Sequence, residues 1–430
     1  MGVNQQPATK TQSDKQGNAR ESSLPEPKNS SSRVTALDRW LLRKMSDFVG
    51  NPPVTASLWD GVEYPPEGES VGHFKFNDRK ALYQLLVDPE LHFGDLYSSG
   101  RIEIDAELVS FLESVFPSIT KNYQNSFIRT MMKSWIHRPR LNSLAGSRSN
   151  IYHHYDISND FYEMWLDDEA MQYTCAYFPD PDMTLEQAQV AKLHHVCRKL
   201  QLKPGDTVVE AGCGWGGLAR FMAKHYDVNV KAYNISHQQI VFARSRALQE
   251  GLADKVEYVE DDYRNIKGEF DVFVSVGMLE HVGSQHYKTL GKVIDRCLKP
   301  EGRGLVHSIG RNQPGLMNAW IERRIFPGAY PPSLRQMMEI FEPYNFSVQD
   351  VENLRLHYAK TLHHWLQRYN ENEDKIADKF DPDFVRAWRL YLAGSIAAFT
   401  TSELQLFQIM FTRAENNMLP WSRAHLYTHD

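Results

Sequence analysis

The stretch Asp206-Thr-Val-Val-Glu-Ala-Gly-Cys-Gly-Trp-Gly-Gly217 decides the fold. The apolar residues before Glu210 predict a strand, and the glycines that follow predict a tight turn into a helix reaching His225. One helix, Gln238–Gln249, and four more strands come next: Val228–Ala232, Val256–Val259, Phe270–Val276 and Gly304–Ser308. Strands that alternate with helices predict an α/β fold whose mostly parallel sheet is doubly wound, with helices on both faces.

The glycine loop indicates a ligand, because glycines let the backbone approach it closely and the following helix presents free N–H groups. A nicotinamide cofactor would need a carboxylate about 20 residues further on, but Tyr233-Asn-Ile-Ser236 contains none. A Walker loop would need Gly-Lys-Ser/Thr, which is absent. S-adenosylmethionine remains, and Asp261 and Asp262 after the third strand offer acceptors for its adenine amino group. The alternative is that the glycines serve only helix–strand packing.

Composition excludes several classes of protein. The 430 residues carry 48 Lys and Arg against 54 Asp and Glu, a net charge of −6, so we expect no nucleic-acid partner. The longest uncharged apolar stretch, Leu390–Ser402, has 13 residues, whereas a membrane-spanning helix needs about 20. The four cysteines are scattered, which is typical of a reducing compartment, and we expect no metal site.

The N-terminal third is predicted to contain a tail and an accessory domain. Residues 1–33 lack Ile, Phe, Tyr and Trp, so we expect a disordered tail. Thr35 and Asp38 form the pattern of a capping box, which predicts that a helix begins there. Five apolar residues would share one face of this helix: Leu37, Trp40, Leu41, Met45 and Phe48. That face either packs on its own domain or lies in a membrane interface, since three basic residues flank it: Arg39, Arg43 and Lys44.

Domain boundaries follow from changes in pattern. We expect an N-terminal accessory domain over residues 34–140, ending in the basic stretch Lys133–Arg140, and a catalytic domain over residues 141–430. After residue 315 the chain is rich in aromatic residues and is predicted to be mainly helical up to Met418.

Several blocks, taken in order, resemble the cyclopropane-fatty-acyl-phospholipid synthase family of bacteria. The blocks are His154-Tyr-Asp-Ile-Ser-Asn-Asp-Phe-Tyr162, Tyr173–Phe178, Glu210–Gly217, Ser275–Gly283, Ile325–Gly328 and Glu352–Leu362. The block Phe93-Gly-Asp-Leu-Tyr97 is also similar to the accessory region of the bacterial synthases. The resemblance implies a class I methyltransferase-like fold, a lipid-binding insertion at about residues 312–345, and a helical lid and C-terminal region.

The resemblance implies transfer of a methyl group from S-adenosylmethionine to a cis double bond in an unsaturated acyl chain of membrane phospholipid, followed by proton loss and ring closure. It implies a cytoplasmic protein held peripherally at the inner face of the membrane, and we also expect a homodimer. Two alternatives stay open: a related methyltransferase that acts on acyl chains without ring closure or on a small amine, and a non-catalytic lipid-binding protein. An alkene is a weak nucleophile, so the pocket should be dry and aromatic; the candidates are Tyr155, Tyr173, Tyr177, Phe178, Trp215 and Tyr263.

The family's functional residues transfer to matching positions of this chain. The resemblance implies a bicarbonate ion as base, held by the backbone of Cys175 and Ile309 and by the side chains of Glu280, His307 and Tyr358. It places Tyr155 and Thr174 near the methionine end of the cofactor, and Gly212, Gly214 and Gly216 at the loop. Asn234 and Gln239 would lie near the ribose, and Asp261 and Asp262 near the adenine.

Two positions depart from the family pattern. Asn234 stands where Thr is usual, and Ser395 stands where some synthases carry Cys, so a nucleophilic thiol is absent there. An ionised Glu280 cannot donate a hydrogen bond, so it would either orient His307 or carry a proton itself. The structural alternatives are a carboxylate that holds its own loop and a satisfied core histidine. Arg323 and Arg324 are candidates to meet a lipid phosphate.

Overall fold

A computed structural model describes residues 33–123 and 157–427 of the chain. The predicted tail up to residue 32, the basic stretch Lys133–Arg140, the 140/141 boundary and Tyr155 lie outside the described residues. Within the described ranges, none of the helices combines the length and apolar content needed to cross a bilayer.

The N-terminal region is a small sheet surrounded by helices. Its elements are α1 (Ala36–Val49), β1 (Thr55–Ser57), β2 (Glu63–Tyr64), β3 (His73–Phe76), α2 (Arg79–Val87), α3 (Pro89–Ser98), β4 (Ile102–Asp105) and α4 (Leu108–Tyr123). The strand order is β2-β1-β3-β4, with β1 and β3 parallel and both outer pairings antiparallel. Apolar side chains of this region belong to the same buried cluster as those of the C-terminal helices, so the two parts share a core.

Helix α1 begins where the sequence predicts, with Thr35 and Asp38 in a capping box, but its buried face differs from the predicted one. Leu42 is 1% exposed and points inward, whereas Leu37 and Trp40 are each 54% exposed. Within the predicted apolar face, Leu37 and Trp40 are therefore exposed, whereas Leu41 and Met45 are half-buried. The most buried side of the helix lies next to the predicted apolar face, where Leu42 and Asp38, paired with Arg79 at 2.9 Å, point inward.

The larger region is the predicted α/β unit. Its elements are α5 (Asn159–Glu163), α6 (Leu185–Lys199), β5 (Thr207–Ala211), α7 (Gly217–Tyr226), β6 (Asn229–Asn234), α8 (His237–Gln249), β7 (Val256–Glu260), β8 (Phe270–Val276), α9 (Tyr287–Cys297), β9 (Leu298–Gly310), α10 (Leu334–Met337), β10 (Phe346–Asn353), α11 (Arg355–Glu371), α12 (Glu373–Ala377), α13 (Pro382–Thr400) and β11 (Gln405–Arg413).

The seven strands form one sheet in the order β10-β11-β9-β8-β5-β6-β7. Strands β5 to β9 pair in parallel, and β11 runs antiparallel to both of its neighbours. Successive residues of one strand, such as Val208 and Val209, belong to different apolar clusters, so both faces of the sheet are covered. The doubly wound, mostly parallel sheet is confirmed.

The C-terminal region is less helical than predicted, because it supplies β10 and β11. Eight of the nine residues of β11 are buried. A strand buried on both faces has no alternation of polar and apolar residues, and its sequence resembles that of a buried helix.

Candidate active site

The glycine loop after β5 positions the cofactor side of the site. Gly212, Gly214 and Gly216 all have positive φ angles, of 83°, 54° and 77°, which glycine adopts without steric cost. A Cβ on Gly216 would lie 2.5 Å from the Tyr258 hydroxyl, whereas a Cβ on Gly214 would meet nothing within 4 Å. Packing therefore explains Gly216, and open space for a ligand lies at Gly214.

Asn234 and Gln239 are brought together at the end of β6. Asn234 Nδ2 donates to Gln239 Oε1 (2.7 Å) and to the Gly214 carbonyl (3.2 Å), and its Oδ1 accepts from the Ile235 N–H (2.8 Å). Asn234 thus holds the glycine loop. The Gln239 Nε2 group makes no hydrogen bond with a described residue, so it is the group left to meet a ribose hydroxyl.

Asp261 and Asp262 follow β7 at the same edge of the sheet. The Asp262 carboxylate forms an ion pair with Arg264 Nε at 2.7 Å and accepts from the Arg264 N–H at 2.9 Å. Asp261 Oδ1 accepts from Asn265 Nδ2 at 2.8 Å, while Asp261 Oδ2 makes no hydrogen bond within the described part of the chain. Of the two, Asp261 is better placed to accept from an adenine amino group.

A buried lysine beside Thr174 was not anticipated from the sequence. Lys192 is 1% exposed, and its Nζ donates to Thr174 Oγ1 at 2.9 Å and to Gln172 Oε1. Burial lowers the pKa of Lys192 to about 8 and raises the pKa of Glu210 to about 8. The signal in the sequence was a charge on the otherwise buried face of α6, a position where lysine is rare unless it has partners.

A cavity of about 1270 Å³ extends from Thr174 through the shared core. Its walls are mainly apolar. The N-terminal region contributes Leu42, Met45, Phe74, Leu85, Phe93 and Phe111, and α13 contributes Leu390, Tyr391, Gly394 and Ser395. The volume exceeds the roughly 300–1,000 Å³ typical of small-molecule pockets, and the apolar lining suits a long hydrocarbon chain.

All five residues predicted to hold an anion line this cavity: Cys175, Glu280, His307, Ile309 and Tyr358. The Cys175 N–H makes no hydrogen bond with a described residue. The Ile309 N–H donates to Glu280 Oε1 at 2.6 Å, so this amide orients the carboxylate, and Glu280 Oε2 is buried without a hydrogen-bond partner in the described chain. The structure therefore brings the predicted set together and adds a contact between two of its members.

His307 is fixed as a hydrogen-bond donor by a residue that sequence reasoning missed. Gln408, directly opposite His307 on β11, donates from Nε2 to His307 Nδ1 at 3.0 Å. An accepting Nδ1 leaves the ring proton on Nε2. Burial lowers the pKa of His307 to about 3, so the ring is neutral at physiological pH.

The pKa of Glu280 is shifted in the opposite direction to that of His307. Burial raises its pKa to about 7, although the N–H group of Ile309 acts to lower it. The carboxyl group therefore exchanges a proton near neutral pH. Burial also raises the pKa of the Cys175 thiol well above its ordinary value, so this residue offers its backbone and not a thiolate.

Aromatic residues surround the site, but fewer of the predicted ones than expected. Tyr173 lines the cavity, and its hydroxyl lies 2.8 Å from that of Tyr391. Tyr177 stacks on His195 and Phe178 on His364, away from the cavity. These two were wrongly expected in the pocket because nothing in the local sequence shows which way consecutive aromatic residues turn.

The segment after β9 packs on the N-terminal region. A Cβ on Gly94 would lie 2.3 Å from the Trp320 ring, so only glycine permits this contact. Arg324 forms a two-bonded ion pair with Asp95 (3.0 and 2.9 Å). The expectation that Arg324 meets a lipid phosphate is therefore replaced by a role in joining the two regions.

The fold and the glycine loop define a class I, S-adenosylmethionine-dependent methyltransferase. Residues 142–409 match the family model described as mycolic acid cyclopropane synthetase. The chain is 38% identical to the cyclopropane-fatty-acyl-phospholipid synthase of Escherichia coli K12 over 79% of its length and 87% of that protein. The chain therefore belongs to the cyclopropane synthase family.

Two further comparisons extend this result. A probable fatty acid methyltransferase of Pseudomonas putida is 34% identical and covers 87% of this chain and 96% of its own length. The crystal structure of mycolic acid cyclopropane synthase CmaA1 complexed with SAH and CTAB superimposes with a TM-score of 0.59 at 29% identity, covering 62% of this chain and 98% of that one.

Proposed function

We propose that this enzyme transfers a methyl group from S-adenosylmethionine to a cis double bond in an unsaturated acyl chain of membrane phospholipid and closes a cyclopropane ring. One observation carries the proposal. A polar site built from Cys175, Glu280, His307 and Tyr358 lies in the wall of a long apolar cavity that also reaches Thr174 beside the cofactor edge. An acyl chain in this cavity would present its double bond between the methyl donor and the polar site.

The residues of the polar site fit a bound bicarbonate ion. The site offers two donors, the Cys175 N–H and the His307 Nε2–H, and one buried acceptor, Glu280 Oε2. These residues and Tyr358 line the same cavity. When bound, bicarbonate supplies a base for the proton that leaves the alkylated chain. His307 holds the anion as a neutral donor, and Glu280 receives or returns a proton because its pKa is about 7.

Water exclusion is the second contribution of the chain. The apolar walls remove competing nucleophiles from the carbocation that alkylation creates, and the rings of Tyr173 and Tyr391 offer electron-rich faces. Such faces stabilise a desolvated cation by about 2 kcal/mol. No group of side chains suited to binding a metal ion occurs among the described residues.

Lipid mass spectrometry tests the proposal. The protein is expressed in a host that lacks the activity, and unsaturated acyl chains should gain one CH₂ in mass. Chemical derivatisation then separates a ring from an exomethylene group. Unchanged lipids in the presence of folded, cofactor-binding protein would contradict the proposal.

A second candidate is methylation of the acyl chain without ring closure. The name of the Pseudomonas putida relative favours it, and an open-chain product in the same assay would establish it. Methylation of a small amine has less support, because such a reaction needs neither the long cavity nor a separate base.

We further propose that the enzyme is cytoplasmic, works peripherally at the inner face of the membrane and forms a homodimer. The exposed Leu37 and Trp40 of α1 support contact with lipid. Analytical ultracentrifugation tests the dimer, since a monomer at micromolar concentration would contradict it.

A further inference from the structure

The exposed lining residues of the cavity indicate where solvent reaches it. Most of its lining residues are buried or half-buried, and the exposed ones are Lys44, Asn312, Gln313, Pro314 and Asn318. The opening therefore lies between the second half of α1 and the segment 312–318. This opening is called the mouth of the cavity.

Arg311 lies just inside the mouth. It follows β9 two residues after Ile309, roughly 7 Å along an extended chain, and its backbone is held by a hydrogen bond to the Pro332 carbonyl at 2.8 Å. Arg311 Nη1 donates to the Leu316 carbonyl at 3.0 Å. Arg311 Nε is buried and has no hydrogen-bond partner among the described residues.

Only one side of the Arg311 guanidinium is therefore hydrogen-bonded within the described chain. Its Nη1 side is fixed by Leu316, whereas the edge formed by Nε and Nη2 makes no hydrogen bond with the described chain. Two parallel N–H groups on one edge match the two oxygens of a phosphate or carboxylate. The edge lines a cavity whose remaining walls are mainly apolar.

The charge of Arg311 is only partly balanced by the protein. No described carboxylate lies within 4.0 Å of its guanidinium; Glu403 and Glu90 attract it from farther away. Burial outweighs this attraction and lowers the pKa of Arg311. A buried cation without a close partner is costly, and an anionic oxygen group from a ligand would remove that cost.

We propose that the Nε–Nη2 edge of Arg311 binds the anionic oxygen group of the lipid substrate, which is the phosphodiester of a phospholipid or the carboxylate of a free fatty acid. This inference rests on the proposed function, because it assumes that the cavity holds an acyl chain. In this proposal, Arg311 binds the polar end of the substrate and so determines how deeply the acyl chain enters the cavity.

Equilibrium binding tests the proposal without using turnover. Calorimetry measures three probes with the same short chains: dioctanoyl phosphatidylglycerol, octanoate and uncharged dioctanoylglycerol. Arg311→Gln should weaken binding of an anionic probe by about tenfold, the scale of one charge-assisted bidentate contact. Binding of dioctanoylglycerol and of S-adenosylmethionine should be unchanged. Arg246→Gln is the matched control, since Arg246 pairs with Glu250 on α8 outside the cavity.

Each outcome decides the proposal. A loss confined to phosphatidylglycerol identifies the phosphodiester as the ligand, and a loss confined to octanoate identifies the carboxylate. Wild-type affinity of Arg311→Gln for both anions, or an equal loss for dioctanoylglycerol, would overturn it. If Arg311→Gln does not fold, Arg311→Lys keeps the charge without the paired edge and should bind the anion several-fold more weakly than wild type. A wild-type protein that binds these probes but makes no modified lipid would contradict the proposed function and leave this inference standing.

Discussion

Glu280 and His307 lie in the same polar site, and burial acts on them in opposite directions. The pKa of Glu280 rises to about 7 and that of His307 falls to about 3. Near neutral pH the carboxyl group exchanges protons while the imidazole stays neutral and donates from Nε2. This separation supports the proposed roles, which are proton transfer at the Glu280 carboxyl group and anion binding by the His307 imidazole.

Glu280→Gln should reduce turnover by a factor on the order of 10², the contribution expected of a positioned proton acceptor. Binding of S-adenosylmethionine should remain, because the glycine loop and Asp261 lie elsewhere. Tyr358→Phe should act in the same direction. The double variant should lose less than the product of the two single effects, because both residues would serve the one proposed anion. Independent effects, together with full activity in carbonate-free buffer, would show that no shared anion exists.

The same substitution should change how stability depends on pH. The pKa of Glu280 is raised from 4.5 to about 7, so its contribution to folding is complete below pH 4.5 and is lost as pH rises through about 7. Glutamine does not titrate. Relative to wild type, Glu280→Gln should therefore gain on the order of 3 kcal/mol of unfolding free energy between pH 4.5 and pH 8. Urea denaturation at both pH values measures the difference in unfolding free energy between the variant and wild type. If this difference does not change with pH, the Glu280 carboxyl group is solvated and its pKa is not raised by burial.

Gly214→Leu should weaken S-adenosylmethionine binding at least tenfold, because the new side chain fills the open space beside the loop. Gly251→Leu is the matched control. Gly251 also has a positive φ (69°) and free space at its Cβ position, but it lies beyond the end of α8. Both variants carry the same backbone strain of about 1–2 kcal/mol, so only the loop variant should lose cofactor in calorimetry. Equal affinities of the two variants for S-adenosylmethionine would show that the cofactor does not bind beside Gly214.

At the scale of elements, α1 presents different residues to the cavity and to the outside. Leu42 and Met45 line the cavity, and Leu37 and Trp40 face outward. Arg39 does not belong to the outward face as a free charge, because it pairs with Asp60 at 2.6 Å. Packing on its own domain therefore describes the inward residues of this helix, and Leu37 and Trp40 are the residues proposed to contact the membrane.

Replacing Leu37 and Trp40 by Ser should reduce association with phospholipid vesicles several-fold in a sedimentation assay, because the variant loses exposed apolar area and no core contact. The control replaces Val241 and Leu248 by Ser, since these residues are also exposed, on α8. Thermal unfolding should be the same for both variants. Vesicle binding that is unaffected by the first substitution would assign membrane contact to another surface.

At the scale of the whole molecule, the sequence predicted most of the sheet and less of the site. The strands and helices from Thr207 to Val276 begin and end within two residues of their predicted limits. Most of these strands and helices alternate, and turn signals separate them. The strands β10 and β11 could not be predicted, because their pairing partners are distant in the chain and β11 is buried on both faces.

The resemblance supplied the members of the polar site but not the contacts that order them. The hydrogen bond between Ile309 and Glu280, the tautomer set by Gln408 and the buried Lys192 each depend on neighbouring elements. The sequence of one segment does not show which group from another segment will lie opposite it after folding.

Removing residues 1–32 should leave activity and stability unchanged, because none of the site residues lies there and such a polar segment buries little. The cut stops before Arg33, whose carbonyl accepts from Arg79 at 2.8 Å. Removing residues 1–50 should instead abolish lipid turnover, since the cavity then loses the wall formed by Leu42 and Met45. Thin-layer chromatography of the product compares the two truncations, and equal activity would show that α1 is dispensable.

The position of β11 sets an order of events during synthesis of the protein. This strand is the last in the described part of the chain, yet it inserts between β10 and β9 and brings Gln408 to His307. A growing chain that has released the segment up to β9 already carries the glycine loop and the residues that follow β6 and β7. It still lacks the partner that orients the imidazole. The imidazole of His307 is therefore oriented only after the chain has been synthesised as far as Gln408 and β11 has paired with β9.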